Sequence, residues 1–188
     1  EDGLCSDSEY GAMPDWDVSQ VTNMRYAFQY KYDFNADIRN WDVSGVSAFE
    51  GMFSVATFFN QPIGSWDVSN AGGMDDMFES AGHFNQDIGS WDVSGVASMN
   101  FMFNDAIDFN QDLSSWCVVG IGSEPISFSD YSDLTESNMP VWGTCPKTPI
   151  TDANFQEAIN TCLSTNPEDG LCSDSEYGAM PDWDVSQV

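Results

Sequence analysis

Tryptophan stands at Trp16, Trp41, Trp66, Trp91 and Trp116, a strict period of 25. A unit of that length is too short to enclose a core alone. It predicts stacked supersecondary units that share one continuous apolar interior. Other columns keep the same period. With each Trp as position 0, position 2 holds Val18, Val43, Val68, Val93 and Val118. Position 12 holds Phe28, Phe53, Phe78, Phe103 and Phe128. Position 18 reads Phe34, Phe59, Phe84 and Phe109, then Leu134. Position 19 reads Asn35, Asn60, Asn85 and Asn110, then Thr135. The asparagine column predicts a ladder of side-chain amides bonding the turn backbones of neighbouring coils.

Within a coil, Trp91 and Val93 alternate with polar neighbours, as in a short strand with one buried face. Met99, Met102, Phe103 and Ala106 follow at i, i+3, i+4 and i+7, the stripe of a short helix. The fold class predicted is α/β: a solenoid of about five 25-residue coils, each with one short strand and one short helix. Its strands would pair in parallel, roughly 4.8 Å apart. A flatter β-solenoid without helices is the alternative, because each helical stripe is only about two turns long.

The stretch FNQDIGSWDVSGVASMNFMF, from Phe84 to Phe103, resembles the BspA-like leucine-rich-repeat surface proteins, in the 25-residue class once named for mycoplasmas. IGSWDV takes the place of the usual L-x-x-L-x-L strand. The resemblance covers about residues 9–140. It implies a right-handed solenoid like that of leucine-rich repeats, cell-surface placement, and adhesion or matrix roles. It implies no catalytic residues. The fifth coil departs from the pattern with WCVVGIGSEPISF, from Trp116, and reads as a terminal or capping unit.

A second, longer repeat lies over the first. Residues 168–188 copy residues 1–21 letter for letter, an offset of 167, which is not a multiple of 25. The array is therefore interrupted and restarted. Between the two, TDANFQEAINTCL reads as a helix. Thr151 or Asp152 can cap it, Phe155, Ala158, Ile159 and Cys162 share a face, and Asn166-Pro167 ends it. A helix just before a stack is a natural lid for its first coil. The organisation expected is a lead-in at 1–15, the stack at 16–140, a linker at 141–150, a lid helix at 151–167 and the start of the next module at 168–188. The whole reads as one period of a longer protein of near-identical 167-residue modules. The alternative is that 168–188 is a cloned overlap.

Charge narrows the partners. Acidic residues number 31 against 4 basic, a net charge of -27. Such a surface repels nucleic acid and anionic membranes and attracts cations or basic partners. Disorder needs low hydrophobicity as well, and 41% of these residues are hydrophobic. No run of 18 apolar residues offers a membrane span. Five cysteines in a lysine-poor chain point to an oxidising, extracellular or cell-surface setting. Cys5 and Cys172 are one site a module apart, which leaves four distinct positions and suits two disulfides. The pairings favoured are Cys162–Cys172, clamping the lid helix, and Cys117–Cys145, closing the end. Cys5 then seeks a partner in a preceding module. Free buried thiols are the alternative.

No nucleophile motif or phosphate loop is present, and an enzyme is not expected. His83, the only histidine, sits in a variable turn column with Asp33, Phe58, Asp108 and Asp133. The sharper candidate is the outward column Asp17, Asp42, Asp67 and Asp92. Stacking brings like charges to roughly 5 Å, at about 0.8 kcal/mol per pair in water and roughly 3 kcal/mol at an effective dielectric of 20. Calcium bridging between coils would offset that cost, and Asp37, Asp87 and Asp112 form a second such column. Alternatively each Asp accepts bonds from nearby Ser hydroxyls or backbone N–H groups. No cofactor is certain; calcium is the candidate. Arg25, Lys31 and Arg39 crowd into the first coil, either as an inter-module contact or by drift.

The function expected is an extracellular structural or adhesive protein whose modules join copies of themselves into a rod, fibre or stalk. Extracellular matrix, glycan or another surface is the further partner. The alternative is a cell-surface module that binds a protein or glycan through its strand face, lined by Asp and Ser.

Overall fold

The computed structural model describes residues 9–146, 151 and 153–165. The chain divides into two compact units, Glu1–Cys145 and Pro146–Val188. The division falls inside the expected linker and leaves 141–145 with the first unit.

The first unit is a stack of 25-residue coils built from turns. Backbone bonds one period apart set its register. Ser47 N–H donates to Thr22 C=O, Gly72 to Ser47 and Ala97 to Gly72, each at 3.0 Å. Further round the coil, Met24, Tyr26, Phe28 and Tyr30 donate to the following coil, to Ala48, Glu50, Met52 and Ser54, at 2.8–3.0 Å. The N–H groups between them close turns within their own coil: Ala27 to Met24, Gln29 to Tyr26 and Lys31 to Phe28.

This overturns the α/β, leucine-rich-repeat-like right-handed solenoid expected from the sequence. Among the described residues the coils hold no strand, only the isolated parallel bridges Asn23–Ala48 and Ala48–Gly73. The one α-helix among the described residues lies outside the coils. The stripe Met99, Met102, Phe103, Ala106 is fully buried as a core face should be, but Phe101 and Asp105 have φ of 58° and 57°. Two left-handed residues four apart exclude an α-helix. Tyr26 and Tyr30, and Asp76 and Ser80, repeat the pattern. The physical reason is where the N–H groups go. A helix spends all of them along its own axis, whereas this run of turns divides them between its own coil and the next. The strand fails for a related reason. Trp and Val do point inward and Asp outward, but Asp side chains take the Ser N–H groups two residues on, and Val46 N–H closes a turn onto Val43 at 2.8 Å.

The core is aromatic and columnar. Phe53 lies 3.9 Å between centroids from Phe59 in its own coil, 5.5 Å from Phe28 before it and 5.6 Å from Phe78 after it. The planes are nearly parallel, and Phe78 and Phe103 continue the column at 5.6 Å. A Trp packs on the phenylalanine of the coil before it, Trp41 on Phe28, Trp66 on Phe53 and Trp91 on Phe78. Its indole N–H donates back 28 residues: Trp41 to Met13, Trp66 to Ile38, Trp91 to Ile63 and Trp116 to Ile88, at 3.1–3.2 Å. A large ring is thus buried without stranding its polar atom.

The asparagine ladder forms as expected. Asn60 N–H donates to Asn35 Oδ1, Asn85 to Asn60, Asn110 to Asn85 and Thr135 to Asn110, at 2.9–3.3 Å. The glutamine that follows joins in: Gln86 Nε2 donates to Asn60 Oδ1 at 2.8 Å and Gln111 Nε2 to Asn85 Oδ1 at 2.7 Å.

The fifth coil closes the stack. Its backbone register slips by one residue: Phe78 donates to Met102, but Phe103 donates to Phe128. Phe128 accordingly meets Phe103 edge-on at 87° and Trp142 edge-on at 82°. Residues 136–145 return over this coil, where Leu113 and Val118 N–H donate to Asn138 and Thr144 C=O, both at 2.8 Å. Cys117 and Cys145 form a disulfide there.

In the second unit α1 spans Phe155–Thr165. Thr151 N–H donates to Asn154 Oδ1 at 2.7 Å, and Thr151 C=O accepts from Phe155 N–H at 2.9 Å, fixing the start of the helix. Ala158 and Cys162 are fully buried, and Phe155 and Ile159 are half-buried. Cys162 is disulfide-bonded. Its proposed partner Cys172, like Cys5 and the copied segment 168–188, lies outside the described residues.

Candidate interface at the first coil

Among the described residues the stack is open at its first coil. Met13, Trp16, Val18, Met24, Phe28 and Phe34 line a groove of about 1070 Å³. A short 3-10 turn at Met13–Asp15 leads in, and the Trp16 indole N–H donates locally to Gly11 C=O at 3.1 Å. In later coils that indole reaches back a full coil. Trp16 is half-buried, held between Tyr10 edge-on and Trp41 face-on, both at 6.3 Å. Tyr30, Lys31 and Tyr32 stand exposed at the rim.

The basic residues collected in this coil divide. Arg25 Nε donates to Glu50 Oε2 at 2.7 Å, across the junction of coils one and two. That bond holds the Glu50 carboxyl below its usual range. Arg39 is turned onto Asp37, 2.9 Å away in its own coil, and lowers that carboxyl's pKa. Lys31 makes no ion pair among the described residues. Two of the three cations expected at a module contact are therefore engaged within this module, and one is at the open rim.

The aspartate column is engaged locally. Asp17, Asp42, Asp67 and Asp92 Oδ1 accept from the N–H of Ser19, Ser44, Ser69 and Ser94 at 3.0–3.1 Å. The hydroxyls of Ser44, Ser69 and Ser94 add bonds of 2.6 Å. Bonding to the ionised form lowers the pKa of Asp17 and Asp67. Asp37, Asp87 and Asp112 accept from Arg39, Gly89 and Ser114 in the same way. Among the described residues no group of three or more His, Cys, Asp or Glu is placed to hold a metal ion. His83 Nδ1 lies 2.8 Å from Asp108 on an open surface, its ring 5.1 Å from Phe58. Neither described groove includes it.

Sequence reasoning missed one contact. Tyr26 lies across Gly51 so closely that a Cβ there would stand 2.4 Å from the ring. Gly51 also has φ of 61°. The available signal was a glycine in a column otherwise holding Tyr26, Asp76, Phe101 and Ile126.

A family model described as Mycoplasma protein of unknown function, DUF285, matches residues 5–116 and again 65–160. The chain belongs to the DUF285 family. The overlapping matches of this DUF285 chain run through the five tryptophans spaced 25 apart and onto the first residues of α1, so the family pattern covers the stack and reaches the helix that follows it. No curated protein and no solved structure matches the chain.

Proposed function

We propose that this DUF285 chain is part of an extracellular or cell-surface structural and adhesive protein of the BspA-like kind, whose 167-residue modules follow one another in tandem as a rod, fibre or stalk. The observation that carries the reading is the 21-residue copy at an offset of 167, placed directly after a helix. A stack whose coils bond along one direction supports it, since each added coil extends the same ladder at no cost to the last. The net charge of -27 keeps such an array hydrated and apart from anionic surfaces. The Cys117–Cys145 disulfide suits an oxidising setting. Imaging chains of one, two and four modules tests the reading. Contour length rises linearly with module number and the chains stay straight. Independent beads on flexible joints would sink it.

A further inference from the structure

An aromatic stack leaves its terminal ring uncovered unless some other element covers it. At the fifth coil residues 136–145 do this. At the first coil the described residues do not, and Met13, Trp16, Met24, Phe28 and Phe34 face a groove of about 1070 Å³. The sequence specifies what precedes this lead-in elsewhere in the same chain. Residues 168–188 repeat 1–21, and α1 stands immediately before them. Met180 and Trp183 are thus the counterparts of Met13 and Trp16, with α1 upstream.

We infer that the open face of the first coil is a socket for a helix of α1's sequence, supplied by a preceding module. The inference rests on the tandem-module reading above and names the contact between modules. Phe155, Ala158, Ile159 and Cys162 lie on one face at helical spacing, the shape and chemistry that an apolar groove accepts. An eleven-residue helix is about 16 Å long, enough to lie across one coil. Charge agrees. Residues 151–167 carry Asp152 and Glu157 and no lysine or arginine, while the groove is lined by Arg25 and Lys31 against the single carboxylate of Asp33, with Lys31 making no ion pair among the described residues. The last coil of another copy is the poorer occupant, because the return of residues 136–145 already takes up Leu113 and Val118 N–H at that end.

The test uses the full chain with residues 151–167 added ahead of Glu1, which reproduces the natural Pro167–Glu168 junction. Hydroxyl-radical footprinting reads the oxidation of Trp16 and Met24. The extension slows both several-fold relative to the unextended chain. The same extension carrying Ile159→Asp restores the original rates, and Trp66, in the interior, stays protected throughout as the control for folding. Equal rates with and without the extension overturn the socket, as does equal protection by the Ile159→Asp extension. Absent protection in chains that still image as straight rods removes the socket alone. Protection in chains that image as loose beads removes the rod alone.

Discussion

Phe28 and Phe34 in the first coil each keep 8% of their surface exposed, while Phe53 and Phe59 in the second keep none. At the far end Phe128 is again fully covered, though no sixth coil follows it among the described residues. The same residue type in the same columns therefore meets three environments: a neighbour on both sides, a neighbour on one side, and a neighbour on one side with a lid of different construction. Burial here is a property of the pair of coils and not of the repeat unit, as nearest-neighbour stability in a stacked array requires. The closed end achieves it with a one-residue slip, two edge-on rings and a disulfide. The open end has the groove instead.

The largest test of that difference is to remove rings. Phe78→Ala, in the interior, costs about 3–5 kcal/mol, read as the loss in denaturant-unfolding free energy. Phe34→Ala, on the open face, costs clearly less, because part of its surface already meets solvent. Equal losses would erase the contrast between interior and end. Next in size is the closed end itself. Replacing Cys117 and Cys145 together by Ser lowers stability by about 2–4 kcal/mol. Amide exchange then quickens at Val118 and Leu113, beneath the returning strap, and stays unchanged at Ser47, near the open end.

Spacing between coils can be probed apart from either end. A Cβ on Gly64 would stand 2.2 Å from Asp87 C=O, whereas one on Gly72 would come no nearer than 3.7 Å to Ser47 C=O. Gly64→Ala forces two coils apart and costs about 1–3 kcal/mol. Gly72→Ala is neutral or raises stability by up to about 1 kcal/mol through the unfolded chain. Thermal melts of the two variants separate these outcomes.

The smallest effect is electrostatic and opposite in sign at two junctions. Glu50 has its folded pKa lowered by Arg25, so its contribution is present above the ordinary glutamate range and is lost as pH falls through the lowered value. Glu50→Gln flattens that part of the stability–pH curve. Asp76 has its folded pKa raised, by burial first and then by Glu79 and Asp75. Its ionisation therefore opposes folding, and stability declines as pH rises from the ordinary aspartate range through the raised value. Asp76→Asn stabilises the protein at neutral pH, helped by asparagine's tolerance of the φ of 56° there. The gain vanishes in acid. Urea midpoints measured from neutral pH downward check both signs.

Much of this was legible because columns are one-dimensional. The Phe, Trp and Val columns marked the core, and the FNQ motif marked the amide ladder. At the candidate interface, the longer repeat raised the expectation of a lid for Trp16, whereas the division of Arg25, Arg39 and Lys31 was not legible. The aspartates left two readings open, and Ser44, Ser69 and Ser94 take the bonds of the local one. The slip at Phe128 was illegible, because the sequence column runs through it unbroken.

What the sequence determined by itself was the period, the inward residues and the partners 25 apart, since identical units can share a core only by stacking like on like. Tertiary structure alone decided how the backbone runs between them. Residues at positions 8, 11, 12 and 15 face inward equally well from a helix or from a run of turns. The choice depends on whether the N–H groups bond within the coil or across to the next one, and no single repeat contains that second coil.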